Sequence, residues 1–389
     1  MNTTRDIVNI NTLFAPFGLR VTDVVTGPQN IKYKIALPLD LSIQGKVKRA
    51  ESNIKYALAT ALGTDEYSYG HDTDGVYIER RNDKFEVVKF GLFAEQMHTN
   101  KLMLALGKDE NGEKVVIDLA KAPHILVGGT TGSGKSELLH CFVASLIEGM
   151  KYTDVSLLII DPKRAEFSPY KNCKSIQVVT EMNIAVKCLE KAVQIMEERY
   201  LELEKTGAKD IYHYNGNMYP IVIIIDELAD LIMTYPQAES YIVRIAAKAR
   251  ACGIHLIIGT QSPRRDVVKG LIKSNIPTKI ALHTSNQMES RIILDQGGAE
   301  NLLGCGDMLY LANGSFAPIR IQSAFVDSRD KAVLASKIAR QPQPTSPRPA
   351  QPVVYPQKKA GFFQRIKNIW NAPQTTTPAQ FITIINKRP

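Results

Sequence analysis

Gly128–His140 reads GGTTGSGKSELLH. The stretch fits G-x-x-x-x-G-K-[ST], with Gly129, Gly134, Lys135 and Ser136 at the fixed positions. Before it, Pro123 and the run His124-Ile125-Leu126-Val127 predict a buried strand. After Ser136, Leu138, Leu139, Phe142, Val143, Leu146 and Ile147 recur at helical spacing. Strand, glycine-rich turn and helix therefore follow in the order that a phosphate cradle requires. Glycines let the loop turn its N–H groups inward, and the helix adds the positive end of its dipole. The predicted cradle comprises Gly129, Thr130, Thr131, Gly132, Ser133, Gly134, Lys135, Ser136 and Glu137. Lys135 is placed to reach the β- and γ-phosphates of a nucleotide, and the Ser136 hydroxyl to ligate magnesium. A surface turn holding a lysine by chance would lack this flanking order.

Composition sets bounds around that site. At 389 residues the chain has room for two domains, or for one large domain with a tail. Hydrophobic content of 44% and charged content of 22% are those of an ordinary globular protein. No apolar run is long enough to span a membrane, and the start MNTTRDIVNINTLF lacks the basic and apolar regions of a secretory signal. Cys141, Cys173, Cys188, Cys252 and Cys305 are too widely spaced for a CxxC metal site, and their odd number suggests reduced thiols. A cytoplasmic protein is expected. The net charge of +9 is uneven: residues 331–389 hold ten Lys or Arg and no acid, so residues 1–330 sum to −1. A polyanionic partner is implied, met in the body by local patches and not by bulk charge.

Along the chain, residues 1–118 suggest a small α+β subdomain. LRVTDVVTG and IKYKIALPL predict strands joined at Gly27–Asn30, KVKRAESNIKYALATALG predicts a helix, and GVYIERRN and EVVKFGLF predict further strands. KLMLALGKDENGEKVVIDL predicts a hairpin around Asn111-Gly112. Residues 119–327 alternate strand and helix, which predicts an α/β fold with a parallel, twisted sheet covered on both faces. MLYLANG and FAPIRIQSAF predict a closing hairpin. Residues 328–357 take in the end of this domain and a Pro-rich linker, and residues 358–389 form a basic tail. In that tail Phe362, Phe363, Ile366, Ile369 and Trp370 fall on one helical face, a pattern suited to docking on a nucleic acid, a membrane surface or a protein groove. The competing reading is a disordered tail with incidental aromatics.

IVIIIDELADL is the second informative stretch. Its apolar run delivers Asp226 to the carboxyl edge of the sheet, where Asp226 fits a magnesium-associated carboxylate. Glu227 follows and is placed to polarise a water for attack on a γ-phosphate; the competing role is a helix cap. Kinases activate a substrate hydroxyl instead, and GTPases orient water with a switch glutamine, so the Asp-Glu pair favours ATP hydrolysis. HLIIGTQ brings Thr260 and Gln261 to the same edge, Gln261 as a sensor of the γ-phosphate. The extra strand LLIID lies between the phosphate loop and the Asp-Glu strand. Together these describe a RecA-like, additional-strand P-loop ATPase core.

PHILVGGTTGSGKSELLH, LLIIDPKRAEFSPY, MEERY, PIVIIIDELADLI, AAKARACGIHLIIGTQSP, GLIKSNIPTKIAL, SRIILDQGGAENLLGCGDMLY and FAPIRIQSAFV together resemble the FtsK/SpoIIIE double-stranded DNA translocases. The resemblance runs from about residue 15 to residue 327. It implies a motor of α and β subdomains, assembled as a hexameric ring around duplex DNA and driven by ATP and Mg2+. Arg250 matches a position that acts across the subunit boundary as an arginine finger, with Arg244 the nearest competitor. Lys273 and Arg291 match DNA-gripping positions. Ser262 and Gln287 stand where the family often has basic residues, with Arg264, Arg265 and Lys269 close by to compensate. Two departures from the family stand out: a start almost directly at the motor, and a final fifty residues too short and Pro-rich for a winged-helix γ domain. They lead to the expectation of a soluble version without membrane anchor or γ domain, of the kind that serves phage, plasmid or mobile-element DNA. The tail or a recruiting protein would then supply loading and direction. The alternative is a related ATPase that assembles with proteins or moves them.

Overall fold

The computed structural model describes residues 3–339 apart from 29, 38–39, 62–66, 73–74, 83–85, 100, 151–153, 165, 172–174 and 217. The expected Pro-rich linker from 340 and the amphipathic basic tail lie outside the described residues. Two sheets organise the rest. The first follows helix α1 (Thr3–Phe14) and holds β1 (Asp23–Thr26) and β2 (Asn30–Ala36). Helix α2 (Leu41–Ala61) leads on to β3 (Tyr67–Asp72) and β4 (Gly75–Arg81). These four strands pair antiparallel in the order β1-β2-β4-β3. Ile10 and Phe14 of α1 pack with Tyr33, Ile35 and Ile78 in a core of their own.

EVVKFGLF is not a strand. It forms a 3-10 turn (Phe90–Phe93) running into the short helix α3 (Ala94–Met97), with only Lys89 bridging to Phe325. The physical reason lies in its spacing: Phe90, Phe93 and Met97 recur at three and four residues, and all three are buried.

The chain then continues through β5 (Met103–Asp109), β6 (Lys114–Asp118), β7 (His124–Gly128), α4 (Lys135–Gly149), β8 (Ser156–Ile160) and β9 (Ile176–Val179). Next come α5 (Met182–Thr206), β10 (Ile221–Ile225), α6 (Leu228–Thr234), α7 (Ala238–Lys248) and β11 (Ile254–Thr260). Last are α8 (Gly270–Asn275), β12 (Thr278–Leu282), α9 (Gln287–Leu294), β13 (Asp307–Leu311), β14 (Ile319–Ser323) and α10 (Ser328–Ala339). Ten strands form one sheet in the order β6-β5-β14-β13-β12-β7-β11-β10-β8-β9. From β12 to β9 every pairing is parallel; from β12 to β6 every pairing is antiparallel.

Side-chain period two divides the parallel half into two cores. Leu158, Ile223, Leu256 and Ile258 face α5, α6 and α7, whereas Leu157, Ile159, Val222, Ile224 and Ile257 face α4. Strands buried on both faces read as continuous apolar runs, which is why each was legible. The position of LLIID differs from the sequence reading. It forms β8, on the far side of β10, and the strand inserted between β7 and β10 is β11. Residues 103–118, grouped by the sequence with the N-terminal subdomain, instead add two strands to the large sheet. Leu104, Ala105 and Leu106 are fully buried there, and Ser145 of α4 accepts a hydrogen bond from the Ala105 N–H at 3.0 Å. Gly107 lets β5 close on β14, because a Cβ at that position would fall 1.8 Å from the Gln322 carbonyl oxygen. The two sheets meet at Arg320 of β14, which donates to Asp307 at 2.9 and 2.7 Å and also to Glu79 of β4. Burial opposes the Arg320 charge, but the two carboxylates outweigh it and push its pKa up.

Candidate nucleotide site

The cradle lies between the end of β7 and the start of α4. Gly134, at φ 103°, opens α4 in a conformation that favours glycine, and a Cβ there would fall 2.6 Å from the Gly306 nitrogen. The Gly306 N–H in turn donates to the Ser133 carbonyl at 2.8 Å, so residues 304–306 support the loop from below. Thr130 anchors the loop's start through its N–H and hydroxyl, both donating to the His283 carbonyl at 2.9 and 3.1 Å. Thr131 and Gly132 are exposed at the tip, and Ser136 is half-buried. Glu137 accepts from Lys331 of α10 at 3.0 and 2.9 Å, an ion pair the sequence reading did not foresee.

Behind the loop, Lys135 is buried and donates to both the carbonyl oxygen and Oδ1 of Asp226, each at 2.6 Å. Asp226 Oδ2 and Ser133 Oγ are buried without a hydrogen-bond partner. A buried carboxylate oxygen left unpaired is costly, and a cation beside it would satisfy it. No cluster of three or more His, Cys, Asp or Glu suited to a metal occurs among the described residues. Mg2+ takes one or two carboxylates plus substrate phosphates, and Asp226 would supply such a carboxylate.

Glu227 is also buried. Its Oε1 accepts from Thr260 Oγ1 at 2.9 Å and from the Ala229 N–H at 3.3 Å, and its Oε2 accepts from the Gln261 N–H at 2.8 Å. The carboxylate thus caps α6 and is clamped to the end of β11, so both roles weighed from the sequence are compatible with one geometry. The Gln261 side chain returns toward the loop: its Oε1 accepts from Lys163 Nζ at 2.7 Å and from Thr131 Oγ1 at 3.4 Å. Lys163 was not singled out from the sequence. The available signal was its place two residues after Asp161, at the carboxyl end of β8 on the same sheet edge.

Arg250 is elsewhere. It lies between α7 and β11, at the amino edge of the parallel sheet, and is exposed. The seven residues of β11 separate the two edges by roughly 20 Å at about 3.3 Å per residue. Arg199 holds the adjoining turn by donating to the Cys252 carbonyl at 2.6 Å and the Tyr219 carbonyl at 2.9 Å. Beside Arg250 sit two buried histidines. Desolvation, helped by each other's neighbourhood and by Arg250, pushes His124 down to about 3. Burial likewise pushes His255 down to about 4, Arg199 and Arg250 adding to the effect. Their partners fix neutral tautomers: His124 Nδ1 accepts from the Leu256 N–H at 3.1 Å, and His255 Nδ1 donates to the Pro123 carbonyl at 3.1 Å. Arg244 is engaged within the chain, donating to Glu197 of α5 at 2.9 Å.

The basic candidates separate into two groups. Arg265, Lys273 and Arg291 line one open depression of about 420 Å³ with Gln287, Met288 and Asp295. Lys273 is tied there to Asp295 Oδ1 at 2.7 Å and to the Arg291 carbonyl at 2.8 Å. Lys269 pairs with Glu239 at 2.6 Å and Arg264 with Asp266 at 3.7 Å, both on the surface. Among the described residues no helix is long and apolar enough to cross a membrane.

Known proteins bear on this geometry. The FtsK/SpoIIIE family profile matches residues 93–220 and 217–265. DNA translocase SftA of Bacillus subtilis (strain 168) is 39% identical over 340 residues, which cover 84% of this chain and 36% of that protein. DNA translocase FtsK of Corynebacterium glutamicum is 39% identical over 370 residues, covering 88% of this chain and 40% of that one. The chain thus spans well under half the length of these relatives. Among solved structures, the pCW3 conjugation coupling protein TcpA, in a monomer form with ATPγS, superposes with a TM-score of 0.62 at 22% identity. That match covers 86% of this chain and 98% of TcpA. The cytoplasmic domain of the Thermomonospora curvata type VII secretion ATPase EccC superposes at 0.55 and 23% identity, over 67% of this chain and 33% of that one. The two superpositions show that the fold is shared with these proteins, and the sequence matches establish the lineage: the chain belongs to the FtsK/SpoIIIE family.

Proposed function

We propose that the chain is an ATP-driven translocase that threads double-stranded DNA through an oligomeric ring. The observation that carries this reading is the clamp on Glu227. A carboxylate next in sequence to Asp226, the partner of Lys135, is held by Thr260 and Gln261 at the carboxyl edge of the sheet. Lys135 leaves Asp226 for the β- and γ-phosphates when nucleotide enters, and Ser136 and Asp226 are the residues that would hold magnesium. The metal, when bound, neutralises charge on the transferring phosphoryl group. Glu227 takes the proton of the attacking water, and Gln261 hydrogen-bonds the γ-phosphate. Loop amides from Gly129 to Glu137 cradle the remaining oxygens, with Glu137 held aside by Lys331.

Arg250, at the far edge of its own sheet, serves the pocket of a neighbouring subunit. A guanidinium supplied across an interface stabilises transition-state charge and makes turnover depend on the ring. Arg265, Lys273 and Arg291 supply the phosphate contacts to DNA, with Arg264 and Lys269 at the rim. Residues 1–118 and 119–327 act as α-like and β-like parts of the motor, with residues 103–118 built into the large sheet of the second, and the basic tail recruits DNA or a partner in the cytoplasm. The names of the relatives, both DNA translocases, favour DNA over a polypeptide as the polymer moved.

The test is displacement of a triplex-forming strand from duplex DNA by the wild-type protein and by Glu227→Ala. Displacement that requires ATP and is lost in the variant is expected. ATP turnover without displacement would leave an ATPase that does not move along DNA.

A further inference from the structure

We propose that Lys163 is a positioning residue that sets the side-chain amide of Gln261 for recognition of the γ-phosphate. The inference rests on the ATPase reading above. A lysine ammonium has three donors and no acceptor, so the Gln261 atom at 2.7 Å from Lys163 Nζ has to be the carbonyl oxygen. The Thr131 hydroxyl, at 3.4 Å from the same oxygen, adds a weaker donor from the phosphate loop. With Oε1 occupied from two sides, the amide cannot exchange its ends without setting NH2 against an ammonium. Nε2 is thereby the end left to donate, and a donor is what a phosphate oxygen requires.

The root of the side chain is fixed independently. The Gln261 N–H donates to Glu227 Oε2 at 2.8 Å, so the backbone of Gln261 is clamped to the carboxylate proposed to activate water. Lys163 therefore decides only the last torsion, the one that tells oxygen from nitrogen. Lys163 itself is brought to this spot by β8, the neighbour of β10 on the side away from the loop strand. Asp161, fully buried at the end of that strand, accepts from the Arg164 and Phe167 N–H groups at 3.0 and 3.2 Å and shapes the turn that carries Lys163. Three strand ends, β8, β10 and β11, are in this way linked through Lys163, Glu227 and Gln261, and the loop joins them through Thr131.

The experiment compares Lys163→Met, Lys163→Arg, Gln261→Ala and the Lys163→Met/Gln261→Ala double variant in the full chain. Two quantities are measured with magnesium present: steady-state ATP turnover, and the ratio of affinities for ATPγS and ADP by calorimetry. Loss of one charge-assisted hydrogen bond predicts that Lys163→Met lowers kcat by about five- to tenfold. The ATPγS-to-ADP preference falls to that of Gln261→Ala, Lys163→Arg restores most of the loss, and the double variant matches Gln261→Ala alone. Lys163→Met indistinguishable from wild type, or losses that multiply in the double variant, would overturn the inference, the second outcome pointing to direct phosphate contact by Lys163. A wild-type protein that binds ATPγS but does not hydrolyse ATP would sink the ATPase reading, while the affinity ratios still decide the link between Lys163 and Gln261.

Discussion

The two edges of the parallel sheet are built from the same strands and could hardly differ more in chemistry. At the carboxyl edge, Lys135, Asp226, Glu227 and Gln261 form a connected set of charged and polar groups, each bond directional and short. At the amino edge, His124 and His255 are buried and neutral, and the exposed cation Arg250 stands beside them. The reason is topological. Parallel strands aim every carboxyl end, and every helix N-terminus that follows, at one edge, so phosphate chemistry collects there. A cation at the opposite edge is out of reach of its own pocket, and a catalytic role for it would require a second molecule to bring a pocket to it.

The largest effect expected from breaking this division is at the pocket itself. Lys135→Ala removes the buried ammonium and should abolish nucleotide binding or turnover, measured by calorimetry and phosphate release. Arg250→Ala should bind nucleotide normally, yet lose turnover by about 10³-fold or more, the order that an arginine finger supplies. Mixing the two variants sharpens the comparison. Some interfaces would then join an intact pocket to an intact arginine, and activity should partly return. No recovery at any ratio, with mixed rings demonstrated, would place Arg250 outside catalysis.

Glu227→Gln comes next. Both carboxylate oxygens accept hydrogen bonds, from Thr260 Oγ1 and Ala229 N–H on one side and from the Gln261 N–H on the other. The amide turns one acceptor into a donor that faces a donor, and it removes the base. Turnover should fall by about 10²- to 10⁴-fold, whereas ATP affinity should change little because Lys135 and the loop remain. Near wild-type turnover would show that Glu227 caps α6 and does no more.

Much of this was legible in the sequence, for physical reasons that also explain the gaps. The strands ending at Gly128, Ile225 and Thr260 are buried on both faces, and continuous apolar runs are hard to misread. That Arg250 precedes β11, and so lies at the amino edge, follows from chain order once the sheet is known to be parallel. The order of strands does not follow: LLIID and HLIIGTQ are equally apolar, and only pairing shows that the second is the one inserted beside the loop strand. EVVKFGLF looked like a strand because Val87 and Val88 carry β-propensity, but burial of Phe90, Phe93 and Met97 at helical spacing overrode it. Helix α1 has a weak local signal, since only Asp6, Ile10 and Phe14, at every fourth residue, are buried along it. The pairing of Glu137 with Lys331 spans 194 residues and left no local trace.

The amino edge makes its own prediction about pH. Desolvation first, then charge from neighbouring residues, holds His124 near 3 and His255 near 4 in the folded chain, against about 6.5 when unfolded. The unfolded chain therefore binds more protons between those values, and stability rises with pH across that window. The contribution is complete above about pH 6.5 and is lost progressively as pH falls toward 4 and then 3. The groups around this pair are Arg199, Arg250 and the Tyr212 hydroxyl, which meets His255 Nε2 at 3.1 Å. Because Arg250 is among the causes of both shifts, Arg250→Ala should move the acid transition slightly to lower pH, read as Tm against pH from 8 to 4. A transition unchanged by removing Arg250 would separate the arginine from the histidines electrostatically.

The smallest effect is expected at Arg244, and it is the sharpest control on the comparison. Arg244 lies on α7, six residues before Arg250, and the two were close competitors for the same role. Its guanidinium donates to Glu197 at 2.9 Å, with both side chains about half exposed. Exposed ion pairs of this kind are worth about 0–1 kcal/mol, because water and salt screen them and two long side chains must be ordered. Arg250, by contrast, has no ion pair within the chain among the described residues. Arg244→Ala should therefore shift Tm by no more than a few degrees and leave ATP turnover, and its rescue in mixtures with Lys135→Ala, as in the wild type. The outcome that would invert the assignment is equally plain. If Arg244→Ala eliminated turnover and recovered it on mixing, while Arg250→Ala remained active, the arginine that crosses the boundary would be the one now paired with Glu197. Its ion pair would then be a resting contact, broken when subunits meet.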